Sequence, residues 1–85
     1  MLNYLRQVAV CESVREMIKQ ALAQSDDAGI RQKANAIPTH DSILRAVSLD
    51  PSINDEETLK AFIVKHILTN LRLTETQKEY LNLNG

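Results

Sequence analysis

The sequence predicts an all-α domain, and three observations carry that reading. Aromatic residues are only 4% of the chain (Tyr4, Phe62 and Tyr80), so its core must be built from Leu, Ile, Val and Ala. Strand-rich domains lean on aromatic and β-branched residues instead. Two glycines (Gly29, Gly85) and two prolines (Pro38, Pro51) are too few for the turns of an all-β chain of 85 residues. Apolar residues also recur at spacings of three and four along the longer segments, as one face of a helix requires.

The first segment, Leu2 to about Gln24, carries Tyr4, Val8, Cys11, Val14, Ile18 and Leu22 as a stripe. Leu2, Leu5, Ala9, Met17 and Ala21 widen it beyond a strict heptad seam. Ser25-Asp26-Asp27 breaks this helix and offers an N-cap for a short one over Asp27–Ala36. Ile37-Pro38 ends that helix, because the residue before proline is pushed out of the α region. Thr39 is read as the N-cap of Asp41–Leu49, with Asp41 in the first turn where the helix dipole favours a negative charge. Asp50-Pro51-Ser52 closes it.

Asn54, with Glu57 three residues on, reads as a capping box opening a helix to about Arg72. Leu59, Ala61, Phe62, Ile63, Val64, Ile67, Leu68 and Leu71 make this helix apolar nearly all round, which predicts a central or interfacial position. Thr74 with Gln77 forms a second capping-box pattern, starting a terminal helix through Tyr80, Leu81 and Leu83. The expected architecture is one domain over residues 1–85, a compact bundle of four to five helices with Asn54–Arg72 at its centre.

Area scaling predicts a folded surface of about 5,100 Å² against about 13,900 Å² unfolded, which leaves one modest core. Too much apolar surface lies on the first and fourth helices for so short a chain to cover. The sequence therefore predicts completion by dimerisation, or a partner protein on the same surface, and a role as a small interaction or regulatory module. The expected interface residues are Tyr4, Val8, Ile18, Leu22, Val64, Leu68 and Leu71.

Chemistry-bearing patterns are sparse. The formal charge of −1 argues against a broadly electrostatic nucleic-acid binder. Cys11 is the single cysteine, so no intramolecular disulfide forms, and its place in the stripe marks it as a small buried hydrophobe. Cys11, His40 and His66 do not share a metal-ligand spacing. His66 is expected in the core or an interface, and His40 in solvent beside a cap. Asp26-Asp27 and Asp55-Glu56-Glu57 open helices, and capping accounts for both acidic groups. With no phosphate loop or nucleophile elbow either, no enzyme, metal or cofactor is expected. The longest apolar run, Ala61–Val64, is far too short for a bilayer span, and Asn3, Arg6 and Gln7 interrupt any leader-like segment. The expectation is a cytoplasmic protein.

Two alternatives have residues behind them. Ile30 to Val47 reads as helix, turn, helix, with Thr39, His40, Ser42 and Arg45 directed to DNA; Pro38 takes a turn position where glycine is common. Asp41-Ser42-Ile43 resembles the Asp-Ser-Leu of acyl carrier proteins, and the resemblance implies a helical carrier with a pantetheine arm on Ser42. It covers those three residues; His40 stands where carriers commonly have glycine, and the near-neutral charge departs from their acidity.

Overall fold

The computed structural model describes residues 3–84, with side chains through Glu79. In chain order these form α1 (Tyr4–Ala23), α2 (Ala28–Lys33) running into a 3-10 turn (Ala34–Ala36), α3 (His40–Ser48), α4 (Glu56–Leu71) and α5 (Glu75–Asn84). There is no strand among the described residues. The all-α class read from composition and periodicity is the class observed. Leu2 and the side chains of Tyr80, Leu81 and Leu83, which figured in the expected first and last helices, lie outside the described residues.

Polar caps set the helix starts, because the first turn of a helix has amide donors with no partner inside it. The Asn3 side chain accepts from the Arg6 amide at 2.8 Å, so α1 begins at Tyr4. Asp27 accepts from the Gly29 amide at 2.7 Å and opens α2. Thr39 accepts from the Ser42 amide at 3.2 Å, as its position before Asp41 implied. At α5 the Gln77 side chain accepts from the Thr74 amide at 2.9 Å, and the Thr74 hydroxyl accepts from the Gln77 amide at 3.2 Å. That is the reciprocal box expected there.

The start of α4 corrects the sequence reading. Asp55, one residue after the expected cap, accepts from the Thr58 amide at 2.8 Å, and the Thr58 hydroxyl accepts from the Asp55 amide at 3.2 Å. Thr58 is short enough to fold back on the cap and also accepts from the Asn54 amide, at 3.2 Å. The bond from the Thr58 amide, and then the one from its hydroxyl, hold the Asp55 carboxyl below the ordinary aspartate range. This cap is therefore intact at neutral pH and weakens as acid protonates the carboxylate. Asp55→Ala is expected to lower the thermal midpoint by about 5 °C. Asn54→Ala should leave it nearly unchanged, and a comparable fall for that variant would return the helix start to Asn54.

The core also departs from expectation in its centre. α1 has the broadest contacts, packing on α2, the 3-10 turn, α3, α4 and α5, so the centre is shared between α1 and α4 and not held by Asn54–Arg72 alone. Val14, Ile18 and Leu22 of α1 meet Leu59, Ile63, Ile67 and Leu71 of α4, all buried. Ile30 from α2, with Ile43, Leu44 and Val47 from α3, adds to the same cluster. The fourth helix thus buries one stripe at four-residue spacing, while Phe62, Val64 and Leu68 beside it are only half-buried. Ile18, Leu22 and Leu71, expected at an interface, lie inside the chain's own core. The short segments between α1 and α4 cover more surface than their sparse apolar content suggested.

Polar contacts tie the ends of these elements together. Arg6 bonds Glu56 at 2.8 Å, joining the N-terminal ends of α1 and α4. Lys33 donates to the Leu71 carbonyl at 2.8 Å, capping the C-terminal end of α4 from α2. Arg15 donates to the Pro38 carbonyl at 2.8 Å and clamps the loop before α3.

Cys11 is fully buried within this core, as its place in the stripe implied. Burial pushes its thiol pKa up to about 11, with Arg15 lowering it and Glu12 raising it more weakly. Native protein is expected to react slowly with thiol reagents and unfolded protein quickly, since the thiolate is the nucleophile. An unfolded thiol ionises first as pH rises, so stability is full below about pH 9 and falls towards about pH 11. A denaturation series across that window checks the sign; Cys11→Ser should flatten the fall, at the cost of a hydroxyl in an apolar site. Rapid native labelling would place the thiol at the surface.

Candidate docking groove

Two surfaces hold side chains that the core does not use. The first is a groove of about 910 Å³ between α1, α4 and the start of α5. Its walls are apolar: Val14 and Met17 from α1, Ala61, Val64 and Leu68 from α4, and Leu73 from the α4–α5 turn. Val14 and Leu73 are buried at the base, Val64 and Leu68 are half-buried, and Ala61 and Met17 are exposed, Met17 at 60%. An exposed methionine over a half-covered apolar trough is costly to leave in water, because burying such a side chain is worth roughly 1.5–3 kcal/mol.

Helix periodicity explains why α4 presents this face. At about 100° per residue, Val64, Leu68 and Ala61 fall within roughly 60° of arc. Lys60 flanks that arc on one side, with Lys65 and Arg72 on the other. Lys78 adds a fourth cation from α5. No acidic side chain among the described residues lines the groove. Lys60 meets Glu56, and Lys78 meets Glu75, each at 3.8 Å on its own helix and partly in solvent. Such pairs are weak and leave both ammonium groups available.

Arg72 sits at the end of α4 with φ 53° and ψ 51°, the one left-handed non-glycine residue among those described. Glycine is the usual occupant of that position, since a side chain there costs about 1–2 kcal/mol. The arginine keeps a guanidinium at the groove mouth where glycine would make the easier turn.

The second surface is the polar face around the start of α3. His40 is half-buried and is not the solvated side chain expected. Its Nδ1 lies 2.8 Å from a Glu12 carboxylate oxygen, and its Nε2 lies 3.2 Å from Asp41. Glu12 also accepts from Arg15 at 3.0 Å, so these polar contacts lock α3 onto α1. Of the other residues directed to DNA in the helix-turn-helix alternative, Thr39 is used as a cap, while Ser42 and Arg45 are exposed. The helices α2 and α3 pack mainly on α1 and hardly on each other, unlike a helix-turn-helix pair. Asp41 would also stand beside Arg45 facing the phosphates. Ser42, the serine of the carrier-like triplet, is exposed on the first turn of α3, and no residue of α3 lines the apolar groove.

Of the seven expected interface residues, the structure brings Val64 and Leu68 into the groove, while Ile18, Leu22 and Leu71 are in the core. Tyr4, 60% exposed, and half-buried Val8 lie nearer the start of α1 and outside the groove. His66 is half-buried and stacks on Phe62 with ring centroids 5.7 Å apart. Among the described residues no cluster of His, Cys, Asp and Glu could hold a metal ion, and no helix is long and apolar enough to cross a membrane. No known protein family, curated protein or solved structure matches the chain.

Proposed function

We propose that the chain is a small protein-interaction module and that the groove between α1 and α4 is its docking face. One observation carries the reading. Helix starts are capped and buried side-chain polar atoms are satisfied, yet Met17, Ala61, Val64 and Leu68 form one unfinished apolar surface. An open apolar trough beside a tightly packed core is the arrangement that receives a helix from another polypeptide. Catalysis has no comparable support, since no histidine or carboxylate among the described residues lines the groove to activate Ser13 or Thr69.

Photocrosslinking tests this in the native cells. A benzophenone side chain at Met17 is expected to give an adduct with a distinct polypeptide, and Val64→Asp should abolish it. The same group at Arg45 should give none. Adducts at Arg45 with nucleic acid, and none at Met17, would overturn the reading in favour of a DNA-binding surface. An adduct at Met17 with a second 9.6 kDa copy would make the module a homodimer.

A further inference from the structure

We propose that the occupant of the groove is an acidic amphipathic helix of a different protein, about three turns long. The proposal rests on the reading of the groove as a docking face and adds the chemistry of the partner.

Length comes first. The α4 wall runs from Lys60 to Arg72, about 18 Å at 1.5 Å per residue, which spans a helix of about 12 residues. Shape comes second. Ala61, Val64 and Leu68 stand at helical spacing with the small residue at one end, so another helix can approach closely and seat side chains three and four apart. Charge decides the rest. Lys60, Lys65, Arg72 and Lys78 surround the apolar strip with no acid among the described lining residues. An occupant with an apolar stripe flanked by Glu and Asp pairs with a cation on either side, whereas a basic helix is repelled and a neutral one gains no pairing.

The same charges argue against a second copy. Two-fold pairing places a patch against itself, so the four cations of one groove would face the four of the other. Repulsion of that kind opposes self-association through the groove. A copy docking by some other face would make a head-to-tail contact, which builds rings or filaments and not a closed pair.

The test uses the full chain and two fluorescent peptides of about 14 residues that share a leucine stripe, one flanked by Glu and its twin by Lys. Fluorescence anisotropy is expected to show the acidic peptide binding at least about tenfold tighter, and weakening several-fold between about 50 and 300 mM salt. Lys65→Glu with Arg72→Glu should erase the preference, because Lys60 and Lys78 then only balance the two new acids; both side chains are exposed, and circular dichroism verifies the fold. Lys65→Gln with Arg72→Gln should weaken the acidic peptide without favouring its twin. Equal binding of the twins would overturn the acidic-helix proposal and leave the docking reading intact. Binding of neither would also overturn it, and the adduct at Met17 then decides the docking reading separately. Tighter groove-dependent binding of duplex DNA or of phosphatidylglycerol vesicles would overturn it, as would a dimer in sedimentation equilibrium that Met17→Glu dissociates.

Discussion

Ile18→Asp is expected to leave the chain unfolded at ambient temperature. Ile18 is 6% exposed, between Val14 and Leu22 on the face of α1 that meets α4. A carboxylate there loses its water and gains no cation, because the neighbouring core is Leu, Ile and Val. Burying an unpaired charge costs several kcal/mol, or forces the group to take up a proton at a similar cost. A chain of 85 residues has roughly 4–13 kcal/mol of stability in total, and a domain this small sits towards the lower end. The cost is therefore comparable to the whole margin. Far-UV circular dichroism should lose its helical signal with no cooperative melt. A folded variant that merely changed its association state would return Ile18 to the subunit seam the sequence suggested.

Met17→Glu, one residue earlier, is expected to do the opposite. Met17 is turned about 100° away from Ile18 on the same helix and is 60% exposed. Glutamate is a good helix former and stays in water there, so the thermal midpoint should move by no more than a few degrees. Binding of the acidic peptide should fall by about thirtyfold, the usual loss when an anchoring apolar contact is removed from an interface centre. The new carboxylate also opposes the acidic flank of the occupant. Unchanged anisotropy with a folded variant would remove Met17 from the docking face. The pair separates core from groove within two adjacent residues, a contrast no general effect on solubility or expression reproduces.

Much of this fold was legible from residue spacing. The four-residue runs Val14-Ile18-Leu22 and Ile63-Ile67-Leu71 mark the two buried stripes, and Asp27, Thr39 and Thr74 mark three helix starts. Asp55 was missed because the pattern Asn54 to Glu57 is equally well formed on paper. The bond from the Thr58 amide to the Asp55 carboxylate, a side-chain geometry, selects between them. The groove was half legible. Val64 and Leu68 stand out as apolar residues beyond the buried stripe, but Ile18, Leu22 and Leu71 look alike on a helical projection. What separates them is cover from α2, α3 and the α4–α5 turn, which depends on tertiary packing.

The cationic rim was present in the sequence but unread. Lys60, Lys65 and Arg72 are the Lys and Arg residues of the expected fourth helix, Asn54–Arg72. Projected at about 100° per residue they flank Val64, Ala61 and Leu68 on both sides. Lys78 joins them only because α5 turns back beside α1. His40 shows the converse: its neighbours in sequence suggest solvent, and the fold supplies Glu12 from another helix.

The central claim is that the groove receives a polypeptide, and backbone amide mapping tests it most directly. Isotope-labelled chain titrated with the acidic peptide is predicted to show its largest shift changes at Ser13, Met17, Ala61, Val64, Lys65 and Leu68, with the Thr39–Arg45 segment still. Changes centred on Thr39–Arg45, or none at the groove under saturating peptide, would contradict it.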